Sequence, residues 1–271
     1  APRARGSRAM SGVWIIAVEV GACVGFVVVS LLGLVVVRRR VPLEELKEQH
    51  EVAAVSFAVL GGLYGIVLAF VLVSSWERFE AARAKAEIEA NALGDLYRHA
   101  EGFDASLQAT LHELTLSYAQ AVIDREWDEM GDGEPDPRAE RIFGQIWTAV
   151  FSAEVGDAKS VALYQNTLGQ LDAFSDGRRD RLLYARVGMP SVVWWFLVAS
   201  GVITVGFSYF FGMRKLAPQL LMTAALAGTI AAALLIINEM QTPFSGSLQV
   251  PPVGLRHFLH VHAGGATGAP R

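Results

Sequence analysis

A second cysteine is missing. With Cys23 alone, no internal disulfide can form and cysteine usage says nothing of redox compartment. A Ser in a G-x-S-x-G turn, a Gly-rich phosphate loop and an H-E-x-x-H pair are missing too, so no catalytic centre can be named and no enzyme is expected. No window alternates apolar and polar residues for long enough to propose a strand, which leaves an all-α reading. Charge is scarce: 18% of the 271 residues are charged against 52% hydrophobic. Where charge does gather, its sign is negative. From Trp76 to Val187 there are 21 Asp/Glu against 12 Lys/Arg, and an acidic block without a basic patch argues against a nucleic-acid partner.

The apolar residues stand in blocks, a pattern that excludes a soluble globule. Four blocks, residues 13–37, 52–75, 191–212 and 216–238, match the roughly 20 helical residues needed to cross about 30 Å of hydrocarbon. The first is too long, and too firmly stopped by Arg38, Arg39 and Arg40, to read as a cleaved signal peptide. It contains one acid, Glu19, a candidate for a functional carboxylate or for a headgroup-level residue. The expectation is an integral membrane protein of two helical hairpins with a helical soluble domain between them. Its parts are a first hairpin within 1–75, an acidic helical domain over 76–187, a second hairpin over 188–238 and a tail over 239–271.

The two hairpin loops, RRRVPLEELKEQHE and the run around Arg214-Lys215, lie on one side and carry six Lys/Arg. That places them inside by the positive-inside rule. The run Arg178 to Arg186 flanks the membrane on the opposite face and mixes the signal. Within the soluble domain, Leu107, Leu111, Leu114 and Tyr118 form a helical stripe entered through Asp104. A second helix starts with Asp136 as cap and Pro137 at its first position, continuing through Ile142, Ile146 and Val150. A third carries Val161, Tyr164, Leu168 and Leu171, and a basic helical stretch follows from Arg178.

Metal signatures are weak. His257, His260 and His262 precede a Gly-rich end and read as solvated, and no metal or other cofactor is expected. The acidic run Asp124, Glu126, Asp128, Glu129, Asp132 and Glu134 lacks the spacing of a calcium loop and reads as a solvated helix end and turn. Trp76, Trp194 and Trp195 sit where interfacial belt residues do, and Tyr64 and Tyr209 take an equally ordinary reading. Arg83 with Glu87 and with Glu80 has helix-pair spacing.

The stretch LAFVLVSSWERFEAAR, residues 68–83, passes from lipid-soluble to charged helix without Pro or Gly. Its Trp76-Glu77-Arg78-Phe79-Glu80-Ala81-Ala82-Arg83, together with Glu89-Ala90-Asn91-Ala92-Leu93-Gly94-Asp95-Leu96-Tyr97 and Pro243-Phe244-Ser245-Gly246, resembles the bestrophin-like family of prokaryotic membrane proteins of unknown function. Its likeness to characterised bestrophins is more distant. That resemblance implies a homo-oligomeric, pentameric channel for small inorganic ions, mostly anions, in a bacterial plasma membrane, with itself and lipids as partners. It implies that the second span lines the pore, with Gly62, Ile66 and Phe70 as an apolar neck four residues apart. Arg78, Glu80 and Arg83 follow as a charged ring, and Pro243 to Gly246 as the segment after the last helix. Two departures stand out: Gly62 has no side chain to close a ring, and the acidic calcium clasp of animal bestrophins has no equivalent. The structural alternatives are lipid-facing Ile66 and Phe70, and a close helix-packing face at Gly61, Gly62 and Gly65. The functional alternative is a non-conducting scaffold or sensor whose soluble domain binds a protein.

Overall fold

The computed structural model describes residues 3–42, 50–132, 135–211, 213 and 215–263, excepting the side chains of 3–16, 50–52 and 132. Residues 43–49 of the first hairpin loop, Arg214 of the second, Glu134 of the acidic run and 264–271 of the tail lie outside this description. Among the described residues the regular structure is helical. The elements are α1 (Arg3–Arg40), α2 (His50–Ala100), α3 (Ala105–Ala121), α4 (Pro137–Phe151), α5 (Ala158–Arg186), α6 (Ser191–Ser208), α7 (Leu216–Gln241) and α8 (Val253–Ala263). A π-helical turn, Val122–Glu126, and short turns to Asp132 follow α3.

The chain divides into two compact units. One comprises 1–78 with 189–241, the other 79–188 with 242–271. Helix α2 runs unbroken for 51 residues and contributes to both, as its lack of Pro predicts.

The first unit holds four helices long and apolar enough to cross a membrane, within α1, α2, α6 and α7. Polar side chains fix their packing at the ends. The Arg38 guanidinium donates to Gln219 Oε1 at 3.0 Å and to the Met213 carbonyl at 2.7 Å. At the other end of α7, Gln241 donates to Ser75 Oγ at 2.8 Å. In between, Tyr64 is buried against Gly201, where an added Cβ would lie 2.9 Å from the tyrosine oxygen and 3.1 Å from Ile230. Gly201 thus lets α2 and α6 approach, a role the sequence suggested for Gly61, Gly62 and Gly65. A Cβ at any of those three would meet nothing within 4 Å, so none of the described helices packs closely there.

The second unit is built on one core of Leu93, Leu96, Leu111, Tyr118, Ile146, Leu171 and Phe174. Asp104 caps α3 by accepting from Ser106 and Leu107 N–H. Asp136 caps α4 from the N–H groups of Arg138 and Ala139, with Pro137 at the first position. The third helix and the basic stretch are one element: α5 runs from Ala158 through Arg186 without a break.

Candidate functional site

Helix α2 has two opposed faces within the first unit. Tyr64, Val67, Leu68, Val71 and Leu72 pack on the other helices, and Ser75 is buried. Val55, Val59, Leu63, Ile66, Phe70 and Val73 remain exposed, Ile66 at 69% and Phe70 at 74%. Spacings of three and four put these six on one stripe. Gly62 is exposed beside them. An apolar stripe of this length without a partner among the described residues faces lipid, another copy or a pathway.

The charged candidates do not share one face. Arg78 stands three residues after Ser75, on the packed side; it is half-buried and its Nε is enclosed. Glu80 is half-buried and Arg83 exposed. Neither Glu80–Arg83 nor Arg83–Glu87 forms an ion pair among the described residues, so the helix-pair expectation is not met. Tyr64 is interior, while Trp76 and Trp195 are exposed. Glu19 is half-buried.

The second unit contains an ion cluster that the sequence reading missed. Glu126, expected in a solvated acidic run, is fully buried, as are Glu89 and Arg181, and Arg178 is nearly so. Glu126 accepts from both Nη atoms of Arg178 at 2.7 and 2.9 Å, from Arg181 Nη2 at 2.7 Å and from the Asp136 N–H at 3.0 Å. Glu89 accepts from Arg181 Nε and Nη2 at 2.5 and 2.9 Å and from the Tyr118 hydroxyl at 2.5 Å. Tyr118 in turn accepts from Arg178 Nη1 at 2.8 Å. Arg178 also reaches the exposed Glu140 at 3.0 Å, and Arg181 lies over the Trp127 ring.

Burial pushes the Glu126 carboxyl upward, but Arg181 and Arg178 outweigh it and hold the group below the usual carboxylate range. Burial, with the Glu89 charge beside it, pushes the Tyr118 hydroxyl well up. Two guanidinium groups against two carboxylates cancel in charge, and each is held by several hydrogen bonds, the condition under which buried ions are tolerated. No open coordination position or free nucleophile remains, so the cluster ties α2, α3, the π turn and α5 together. Arg178 and Arg181 are therefore internal cations of this unit, a correction to their reading as membrane-flanking charge. One signal was legible: Leu171, Phe174, Arg178 and Arg181 continue a single stripe at spacings of three and four, so the arginines occupy core positions. Gly177 completes the site, since a Cβ there would stand 2.8 Å from the Glu89 nitrogen.

The Pro243–Gly246 segment is a turn docked in the same unit. Phe244 is buried and meets the Trp127 ring edge-on at 5.5 Å. Gly246 has φ 84°, a left-handed conformation that glycine adopts without strain. Val250 closes the turn, donating its N–H to the Pro243 carbonyl at 2.8 Å and accepting from Trp127 Nε1 at 2.9 Å. The tail histidines divide: His257 and His260 are exposed as expected, while His262 rests 4.2 Å from the Tyr97 ring, on which His112 is stacked at 3.8 Å. Among the described residues no three His, Cys, Asp or Glu side chains converge to hold a metal.

The model of the bestrophin-like domain family matches residues 24–255. The chain belongs to this family. The bestrophin-like chain is also similar in fold to solved structures. A variant of a bacterial bestrophin homologue from Klebsiella pneumoniae superposes with a TM-score of 0.68 at 13% identity, over 91% of this chain and 99% of that one. The same homologue phased with zinc gives 0.64 at 13% identity, over 91% and 99%. A variant described as a membrane protein gives 0.66 at 12% identity, with the same coverage. No curated protein matches the sequence. The family match runs from within the first apolar helix through the other three and the Pro243–Gly246 turn, so the bestrophin-like protein is an integral membrane protein whose regular structure, among the described residues, is helical.

Proposed function

We propose that this bestrophin-like protein is one subunit of a homo-oligomeric ion channel in a bacterial plasma membrane, with α2 lining the pathway. The observation that carries the reading is the unpartnered stripe of α2, from Val55 to Val73. Ile66 and Phe70, four apart on it, supply the apolar neck, and rings of such side chains gate a pore by dewetting. A pentamer follows from the family resemblance, and the permeating species are small inorganic ions. The anion preference implied by that resemblance relied on Arg78 and Arg83; the sign of the charge behind the neck is what selects the ion.

The test joins assembly to flux. The detergent-solubilised protein runs as an oligomer, and an Ile66→Ala, Phe70→Ala variant raises ion flux in vesicles at unchanged oligomer mass, because the constriction widens and wets. Lipid-facing side chains give no gain in flux. Gly62 leaves one ring of the neck without side chains, which favours the second reading, a non-conducting scaffold or sensor whose helical soluble unit binds a protein. A monomeric mass would support that reading and overturn the channel.

A further inference from the structure

At 3.6 residues per turn, each residue advances about 100° around the helix. Measured from Ile66, the exposed residues Val55, Val59, Leu63, Phe70 and Val73 all fall within about 60° of it, and their mean direction lies about 10–15° away. Glu77 falls about 20° from Ile66, almost on that mean direction. Arg78 falls about 120° away, with the packed residues, and Arg83 about 100° away on the other side. Glu77 is exposed, and it makes no ion pair or side-chain hydrogen bond among the described residues. Glu80, about 40° from Ile66, leans toward the same face.

We propose that Glu77 is the selectivity-determining residue of the pathway and that the ring it forms makes the channel prefer small inorganic cations over anions. The inference rests on the pore reading: only if Ile66 and Phe70 face an axis does Glu77 face it too. Seven residues separate Phe70 from Glu77, about 10 Å of rise, and Val73 is the only stripe residue between them. This distance is close to the Debye length of about 8 Å at physiological ionic strength. A ring of carboxylates, one per subunit, therefore sets a negative potential that reaches the neck and strengthens as salt is lowered. Rings of acidic side chains raise the local cation concentration and repel anions by the same field. Arg78 is turned to the packed side and adds no cation to that axis.

The full-length protein in vesicles of neutral lipid, under a potassium chloride gradient, tests this by the sign and size of the reversal potential. The wild type should favour potassium over chloride, Glu77→Gln should lower that ratio severalfold, and Glu77→Lys should invert it. Each shift should grow at lower ionic strength. A wild type that favours chloride overturns the proposal, as does Arg83→Gln moving the ratio as far as Glu77→Gln does. If Ile66→Ala, Phe70→Ala raises flux while Glu77→Lys leaves the ratio unchanged, the role of Glu77 fails and the pore reading stands. If neither wild type nor the double variant conducts, both fail together. Should Glu77→Lys not assemble, the isosteric Glu77→Gln decides.

Discussion

Replacing Arg181 by Met isolates what the buried ion cluster contributes. The guanidinium is fully enclosed and is, among the described residues, the only cation bonded to Glu89, through Nε and Nη2. Methionine removes the charge and leaves the buried Glu89 carboxylate, among the described residues, with the Tyr118 hydroxyl as its remaining donor. Glu126 fares better, keeping Arg178 and the Asp136 N–H. Breaking a buried pair from one side costs about 3–5 kcal/mol. At roughly 2–4 °C per kcal/mol for a protein of this size, the melting transition should fall by roughly 6–20 °C. The charge is the cause, so removing the orphan as well should recover most of the loss: Arg181→Met with Glu89→Gln should melt well above Arg181→Met alone. Glu140→Gln, at the exposed edge of the cluster, should cost about 0–1 kcal/mol. Thermal unfolding of the detergent-solubilised protein, followed by circular dichroism, measures all four proteins. An Arg181→Met loss no larger than that of Glu140→Gln, or a double variant no better than the single one, would refute the argument.

Four further outcomes are expected. Gly177→Ala should destabilise by about 1–3 kcal/mol, because the new methyl group meets the Glu89 backbone and α5 must move away from α2; a neutral melting temperature would show that the helices separate freely. Phe244→Ala should cost about 3–5 kcal/mol through the cavity left against Trp127, with increased protease cutting near Gly246 as the readout. Burial, aided by Arg98 and His112, holds His262 below its ordinary value. The unfolded tail therefore takes up a proton first, and docking of α8 is fully favoured above about pH 6.5 and weakens as pH falls through the lower folded value. Hydrogen exchange of residues 253–263 should rise on acidification and stay flatter in His262→Phe. Glu126 follows the same sign in a more acidic window: its contribution is present above the ordinary carboxylate range and is lost below it, so Glu126→Gln should reduce the acid sensitivity of the melt.

The sequence by itself determined the elements that local rules control. Four apolar blocks became four helices because hydrocarbon leaves the backbone no partner but itself. Asp104, Asp136 and Pro137 stand at helix starts because capping needs only neighbouring N–H groups. The unbroken α2 followed from the absence of Pro between residues 68 and 83. The family was legible as well, in Trp76 to Arg83, Glu89 to Tyr97 and Pro243 to Gly246. Tertiary structure decided what depends on partners distant in the chain. Glu126 stands within the acidic run from Asp124 to Glu129 and reads as solvated. Only the approach of α5, 52 residues later at Arg178, makes it a core residue. Gly201 and Gly177, which sequence did not single out, are among the close contacts, whereas Gly61, Gly62 and Gly65 are open, because a glycine's role depends on what stands opposite its missing Cβ. Counting four by four assigned Gly62, Ile66 and Phe70 to a neck, but which side of α2 is free had to come from the packing of Tyr64, Val67, Val71 and Ser75. Once that side is fixed, helical geometry turns Arg78 toward the packed helices and puts Glu77 in line with Phe70.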